Sequence, residues 1–429
     1  MEWRNWAGTQ RCSPATIAHP FGTEQLSEVV RRASASGQRV KVAGRGHSFT
    51  DAACTDGTLV LLDRHRRTLA LDRDQARITV QAGITLHELG TVLARYGLAL
   101  PNLGDIDAQT VAGALATGTH GTGSAHRCIA AQVLAMELVT GDGSVLELSP
   151  TSDGGAFEAA LVSVGALGAV STVTLQCIPA FNLRAEEGAM RIDEVLERFD
   201  ELAGANEHFE FFWMPHSKWA IVKRNNRVDA PRGGRSRARE WFDDMFVQNH
   251  LFGLVGQVQR RRPGWVPAIN RAIGKPAGAD YVDRSDRVFT TPRKVRFEEM
   301  EYGFGRGDAR RVVEEVRRVA MARELGVGFP IEVRVTAADD IPLSMAYGRD
   351  SCFVACHVFK GRPYEAYFRG VEAIMREVGG RPHWGKLHFQ EAATLANLYP
   401  RWSDFQAARD RLDPGRVFAN AYTERVFGA

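Results

Sequence analysis

No stretch of this 429-residue chain approaches the roughly 18 unbroken apolar residues that a membrane span requires. The N-terminal run from Met1 to Pro14 lacks the apolar h-region of a secretory signal, so a soluble, cytoplasmic protein is expected. An excess of one charge is missing too. Lys and Arg number 54 against 51 Asp and Glu, a balance too even for nucleic-acid binding by the chain as a whole. Cysteine is scarce: six residues, scattered and without a Cys-x-x-Cys, read as reduced and mostly buried thiols, with no disulfide framework and no metal site. Cys352 and Cys356 share one face of an apolar, strand-like run, where core packing is the reading. No internal repeat is visible. The 24% charged and 9% aromatic residues exclude a largely disordered chain, and domains of about 100–200 residues predict two or three here.

What is present changes character near Pro179. Before it, short strand-like runs alternate with Gly-bearing turns. Thr23 is expected to cap a helix carrying Leu26, Val29, Val30 and Ala33, with Gly37 ending it. Residues 39–44, 59–63, 76–83 and 168–178 read as strands and 86–97 as a helix, while Gly141-Asp142-Gly143 reads as a hairpin turn. Strands and helices mixed without regular alternation predict an α+β domain. After Pro179, helices lengthen (192–204, 308–323, 365–378) and strands at 208–215 and 331–336 appear, so a second domain is expected there. The basic run Lys223 to Arg239 and the patch Arg260–Arg262 read as a solvated surface, with membrane contact at most peripheral.

Three segments carry chemistry. In VAGRGHSFTD (42–51) a strand delivers Gly44-Arg45-Gly46, then His47 and Ser48; two glycines one residue apart let backbone N–H groups cradle a pyrophosphate. This is not the G-x-G-x-x-G of a Rossmann site, because Phe49 stands where the third glycine would be. Residues 100–123 supply a second loop, in which Gly113, Ala114, Ala116 and Gly118 permit close contact with a flat ligand and Thr110, Thr117, Thr119 and His120 offer donors. Residues 163–175 add a Gly-bearing turn before a strand. In Ile331–Thr336 the period of two puts Glu332, Arg334 and Thr336 on one face and Ile331, Val333 and Val335 on the other. Taken alone, Glu332 and Arg334 read as a structural ion pair, His357 as a packed core histidine and Lys386 as a surface salt bridge.

Together the three segments resemble the FAD-binding domain of the vanillyl-alcohol-oxidase superfamily. With AYGRD (346–350), RPHWGK (381–386) and LDPGRVFANAYTERV (412–426), the whole chain resembles that superfamily's sugar-lactone and alditol oxidoreductase branch. The resemblance implies an α+β fold with a two-part FAD domain (PCMH type) over 1–180. A cap domain with a large antiparallel sheet would follow over 181–405, and a segment, 406–429, would return to the FAD domain. It implies FAD held by Val42, Ala43, Gly44, Arg45, Gly46, Ser48, Asp105, Thr110, Gly113, Thr117, Gly118, Thr119, His120 and Val170. His47 would bond covalently to the flavin 8α-methyl, which raises its potential, or else serve as a backbone-bonding histidine. Glu332 and Arg334 would bind sugar hydroxyls, Lys386 would sit by the flavin N1/C2 carbonyl, and His357 or solvent would take the hydroxyl proton.

The implied activity is oxidation of an aldonolactone such as L-gulono-1,4-lactone, by hydride transfer from C2 to flavin N5, giving an ascorbate-type product. Alditol oxidases of the branch carry Ser and Thr where this chain has Asp105 and Phe359, so acyclic polyols rank second as substrates. A flavin- or sugar-binding module without turnover ranks third. Gly104 leaves oxygen access to the flavin open, whereas the resemblance leans to dehydrogenases that use a cytochrome or quinone-type acceptor.

Overall fold

The computed structural model describes residues 2–234, 252–272 and 274–429. Up to Pro179 the chain builds a three-stranded and a five-stranded sheet, besides two two-stranded ladders. Strands Thr16–Ala18, Thr58–Leu61 and Val40–Ala43 form a parallel sheet in that spatial order, and helix Thr23–Ala35 lays Leu26, Val30 and Ala33 onto it. Thr23 is not the cap. Gly22 holds that position, and the Thr23 hydroxyl instead bonds Glu137 (3.1 Å) and Ser171 (2.8 Å). Strands Val145–Leu148, Val133–Val139, Ala169–Gln176, Arg77–Gln81 and Thr68–Asp72 make an antiparallel five-stranded sheet in that order. Its first hairpin turns at Gly143, whose φ of +84° glycine adopts without steric cost.

Residues 182–382 form an antiparallel eight-stranded sheet. Its order is Ala279–Arg284, Asn182–Arg191, Trp219–Val228, His208–Trp213, Ile331–Thr336, Ser351–Phe359, Phe297–Gly305 and Arg381–Pro382. The two faces differ sharply. One carries Phe209, Phe211, Val333, Val335, Cys352, Val354, Cys356, Met300 and Tyr302 beneath helices Ala309–Ala320 and Glu365–Glu377, a continuous apolar core. Cys352 and Cys356 pack there, while Cys12 and Cys54 are only half-buried. The other face is lined with charges and turns toward the first 180 residues.

The first part of the basic run is not a surface loop, whereas residues 229–234 are irregular and largely exposed. Lys223 to Val228 belongs to strand Trp219–Val228, where alternation turns Lys223 inward against Glu210 (3.5 Å) and Glu187 (3.9 Å). Arg227 pairs with Glu207 and lies over the Phe181 ring. Residues 235–239 of that run lie outside the described residues, and Arg260–Arg262 are exposed. Ile341, Leu343, Met345, Trp384, Leu395, Tyr399 and Phe405 join the core of the five-stranded sheet, so parts of 181–405 pack outside the large sheet's own core. Among the described residues, no helix is long and apolar enough to cross a membrane.

Candidate active site

Strand Val40–Ala43 ends in the loop of Gly44 to Ser48. Gly46 takes φ +69°, and its carbonyl accepts the Trp6 N–H at 2.7 Å. At Gly44 a Cβ would lie 2.0 Å from the Thr110 hydroxyl, so only glycine lets the two loops close on each other. Thr110 caps helix Val111–Ala116 by accepting the Gly113 N–H (3.2 Å), and Thr117 donates to the Gly113 carbonyl (3.1 Å). With Ser163–Gly165 and Gly168–Val170 these segments wall a cleft. Val42 to Ser48, Thr110, Gly113, Thr117 and Val170 line it. The narrow cleft, walled by small residues and backbone N–H groups, fits the FAD that the sequence implies.

Asp105, Gly118, Thr119 and His120 are absent from that lining. Gly118 packs against Met345, and Thr119 accepts from Gln109 (3.4 Å). Asp105 and His120 turn to the large sheet instead. The two regions are stitched by Gly123 N–H, which donates to Val335 O at 2.8 Å, and by the Thr122 hydroxyl, which donates to Phe209 O.

His47 stands where cleft and sheet meet. Its ring stacks on Trp6 at 5.4 Å and 25°. Its Nδ1 is buried and has no hydrogen-bond partner in the protein. Burial, then the charges of Lys386, Arg296 and Arg45, push its pKa down to about 4, so the imidazole is neutral at pH 7.

On the sheet, register sets Glu210 opposite Arg334, Ala355 between Glu332 and Glu301, and His357 opposite Glu299. The Arg334 guanidinium contacts Glu210 (2.8 Å), Glu332 and Asp105, and Arg293 holds the other Asp105 oxygen at 2.7 Å. Burial alone would raise the Asp105 pKa, but Arg334 and Arg293 outweigh it and hold the carboxyl well below its usual range. Glu332 goes the other way. Burial, with Asp105, Glu210 and Glu301 nearby, raises it well above the usual value despite Arg334 and so favours its protonated form.

Lys386 Nζ meets Glu299 at 2.5 Å and lies 5.2 Å from the centre of the Phe49 ring, touching both the cleft loop and the sheet. His357 gives its Nδ1 hydrogen to Pro330 O (3.1 Å) and turns Nε2 to Glu299 (3.5 Å), between the Phe297 and Phe329 rings. Phe359 packs on Phe329, at the far end of that strand. His120, Glu301 and His383 gather close enough to suggest a metal. However, His383 Nδ1 accepts the Gly385 N–H at 3.0 Å, which puts its proton on Nε2 and leaves no lone pair there for an ion.

Sequence reasoning missed Glu210, Arg293, Glu299 and Glu301. The signal was available: Glu299 and Glu301 alternate with Met300 and Tyr302, and Glu210 sits between Phe209 and Phe211, the same period of two that singles out Glu332 and Arg334.

The family described as D-arabinono-1,4-lactone oxidase matches residues 173–426, and that described as FAD binding domain matches residues 14–149. Over 427 residues, 99% of either chain, this protein is 44% identical to L-gulono-1,4-lactone dehydrogenase of Mycobacterium tuberculosis. It is 36% identical over 440 residues to L-gulonolactone oxidase of Bos taurus, covering 100% of this chain and 98% of that one. Cholesterol oxidase from Brevibacterium sterolicum superposes with a TM-score of 0.83 over 99% of this chain and 96% of its own. At 16% identity that is a likeness of fold alone.

Proposed function

The chain belongs to the D-arabinono-1,4-lactone oxidase family, and from that premise we propose that it is an FAD-dependent oxidoreductase acting on the C2 hydroxyl of an aldonolactone. L-gulono-1,4-lactone is the first substrate to test, since relatives matching along the whole chain carry that lactone in their names. One observation carries the reading: a glycine-walled cleft lined by His47 adjoins a sheet whose charged face carries Glu332 and Arg334 and whose Glu299 holds Lys386 against the Phe49 loop.

When bound, FAD supplies the two-electron acceptor for the hydride that leaves the carbinol carbon. Backbone N–H groups from Gly44 to Ser48 would hold its pyrophosphate, with Thr110, Gly113, Thr117 and Val170 along the wall. His47 would carry the covalent link, which a neutral imidazole with an unpartnered Nδ1 supports. Arg334 would bind the reacting hydroxyl as a fixed cation and ease loss of its proton. Glu332, whose surroundings favour its protonated form, would donate to a second lactone oxygen. The hydroxyl proton would pass to solvent, because both nitrogens of His357 already face protein oxygens. Lys386 would hold positive charge beside the cleft, where negative charge accumulates during reduction.

At Gly104 a Cβ would meet the His120 carbonyl at 3.0 Å, so glycine there serves the close approach of two backbone segments and does not select the electron acceptor. Stopped-flow mixing of reduced enzyme with air-saturated buffer decides: rapid reoxidation assigns oxygen, and a very slow rate assigns a cytochrome or quinone-type acceptor. The main test is the visible spectrum of purified protein, followed by anaerobic reduction with aldonolactones and alditols. Bleaching by L-gulono-1,4-lactone is expected. A colourless protein that stays inert with added FAD, or one reduced by alditols alone, overturns the reading.

A further inference from the structure

The turn carrying His383 and Lys386 is hung on strand Phe297–Gly305 at two points: His383 N–H donates to Glu301 O at 2.9 Å, and Leu387 N–H donates to Glu299 O at 2.8 Å. At the second point the side chains meet as well. One Glu299 carboxylate oxygen takes Lys386 Nζ at 2.5 Å, and the other faces His357 Nε2 at 3.5 Å. Glu299 is 5% exposed. Burial would raise its pKa, but Lys386 and then His357 outweigh that and hold it at about 2, so it is an anion throughout the working pH range. Lysine carries a compact charge on a flexible four-carbon stem and fixes no direction by itself. Without a partner, this partly exposed ammonium would swing to water.

We propose that Glu299 is a positioning residue: its carboxylate fixes the Lys386 ammonium against the Phe49 loop and ties it to His357, so the two move as one unit. This rests on the role given above to Lys386 beside bound FAD, and it adds the residue through which that role is sustained.

The midpoint potential of the bound flavin tests it, alongside anaerobic reduction by L-gulono-1,4-lactone, in Glu299→Gln, Lys386→Met and the double variant. Deleting a buried negative charge near a flavin should, by itself, raise the potential. If Glu299 acts by holding Lys386, Glu299→Gln instead lowers it by about 30 mV, a tenfold change for a two-electron couple, because the ammonium is released. Reduction slows about tenfold, the scale of one hydrogen bond to a charged group. On the Lys386→Met background, Glu299→Gln should lower neither the potential nor the rate further. A potential that rises or stays put in Glu299→Gln, or losses that add in the double variant, overturns the proposal. If Glu299→Gln fails to fold, Glu299→Asp takes its place, and wild-type potential and rate in that shortened variant count against the proposal. A wild-type flavin with a measurable potential that no aldonolactone reduces removes the substrate reading alone.

Discussion

Alkylation at a ring nitrogen requires an imidazole that has a lone pair to offer, and the surroundings of His47 supply that condition. Burial and three nearby cations keep it unprotonated, and Nδ1 finds no protein donor or acceptor. His47→Ala should therefore leave a protein that still takes up FAD in its glycine cleft, but with the yellow colour moving into the supernatant on acid precipitation. The wild type should retain colour in the pellet, and colour released equally by both would remove the covalent link. Lys386→Met tests a different property of the same junction. Bound FAD should remain, since Lys386 does not line the cleft, but anaerobic reduction should slow roughly 100-fold, the cost of deleting one preorganised charge at a reacting centre. A near-normal rate would take Lys386 out of the mechanism.

At the scale of elements, strand Ile331–Thr336 shows what a sequence reveals and what it hides. Its period of two puts Glu332 and Arg334 on one face, and the glycine spacing of 42–48 marks an anion loop, because both signals are local. The partners of Arg334 come from Glu210 and Asp105, residues more than a hundred positions away that only strand register and loop docking bring together. Lys223 misled for a related reason. In a run of basic residues a surface is the simplest inference, but the strand's inner face is itself a charged layer. That layer gives Glu332 its raised pKa, and the sign of the consequence can be worked out. Below about 4.5, the carboxyl's ordinary value, folded and unfolded forms are both protonated; above it the unfolded chain ionises while the folded one keeps its proton, so stability falls as pH rises. Glu332→Gln lacks this dependence. Thermal unfolding should show the variant level with the wild type near pH 4 and gaining on it by a few degrees at neutral pH, whereas a gap independent of pH would mean that Glu332 is ionised in the folded state.

Across the whole molecule, the C-terminal helix Ala421–Phe427 ties together parts that are far apart in the chain. Asn420 caps the helix by accepting the Thr423 N–H (3.0 Å), and its amide nitrogen reaches the carbonyls of Asp51, Ala52 and Cys54, just beyond the His47 loop. From the same first turn, Tyr422 donates to Trp384 O at 2.8 Å, inside the turn that carries Lys386. One short helix thus fixes the cleft loop and the cation turn relative to each other, which no local pattern in either segment discloses. Asn420→Ala removes a cap and the donors to those carbonyls, and a loss of about 2–3 kcal/mol is expected. Asn420→Asp separates the two contributions: it keeps the cap oxygen but sets a carboxylate against three carbonyl oxygens, so it should be less stable than Asn420→Ala. It should also reduce more slowly with the lactone, because the loop and the turn no longer share a brace. If Asn420→Asp proves as stable as the wild type, the cap alone accounts for Asn420, and the geometry between His47 and Lys386 must be held by the sheet contacts instead.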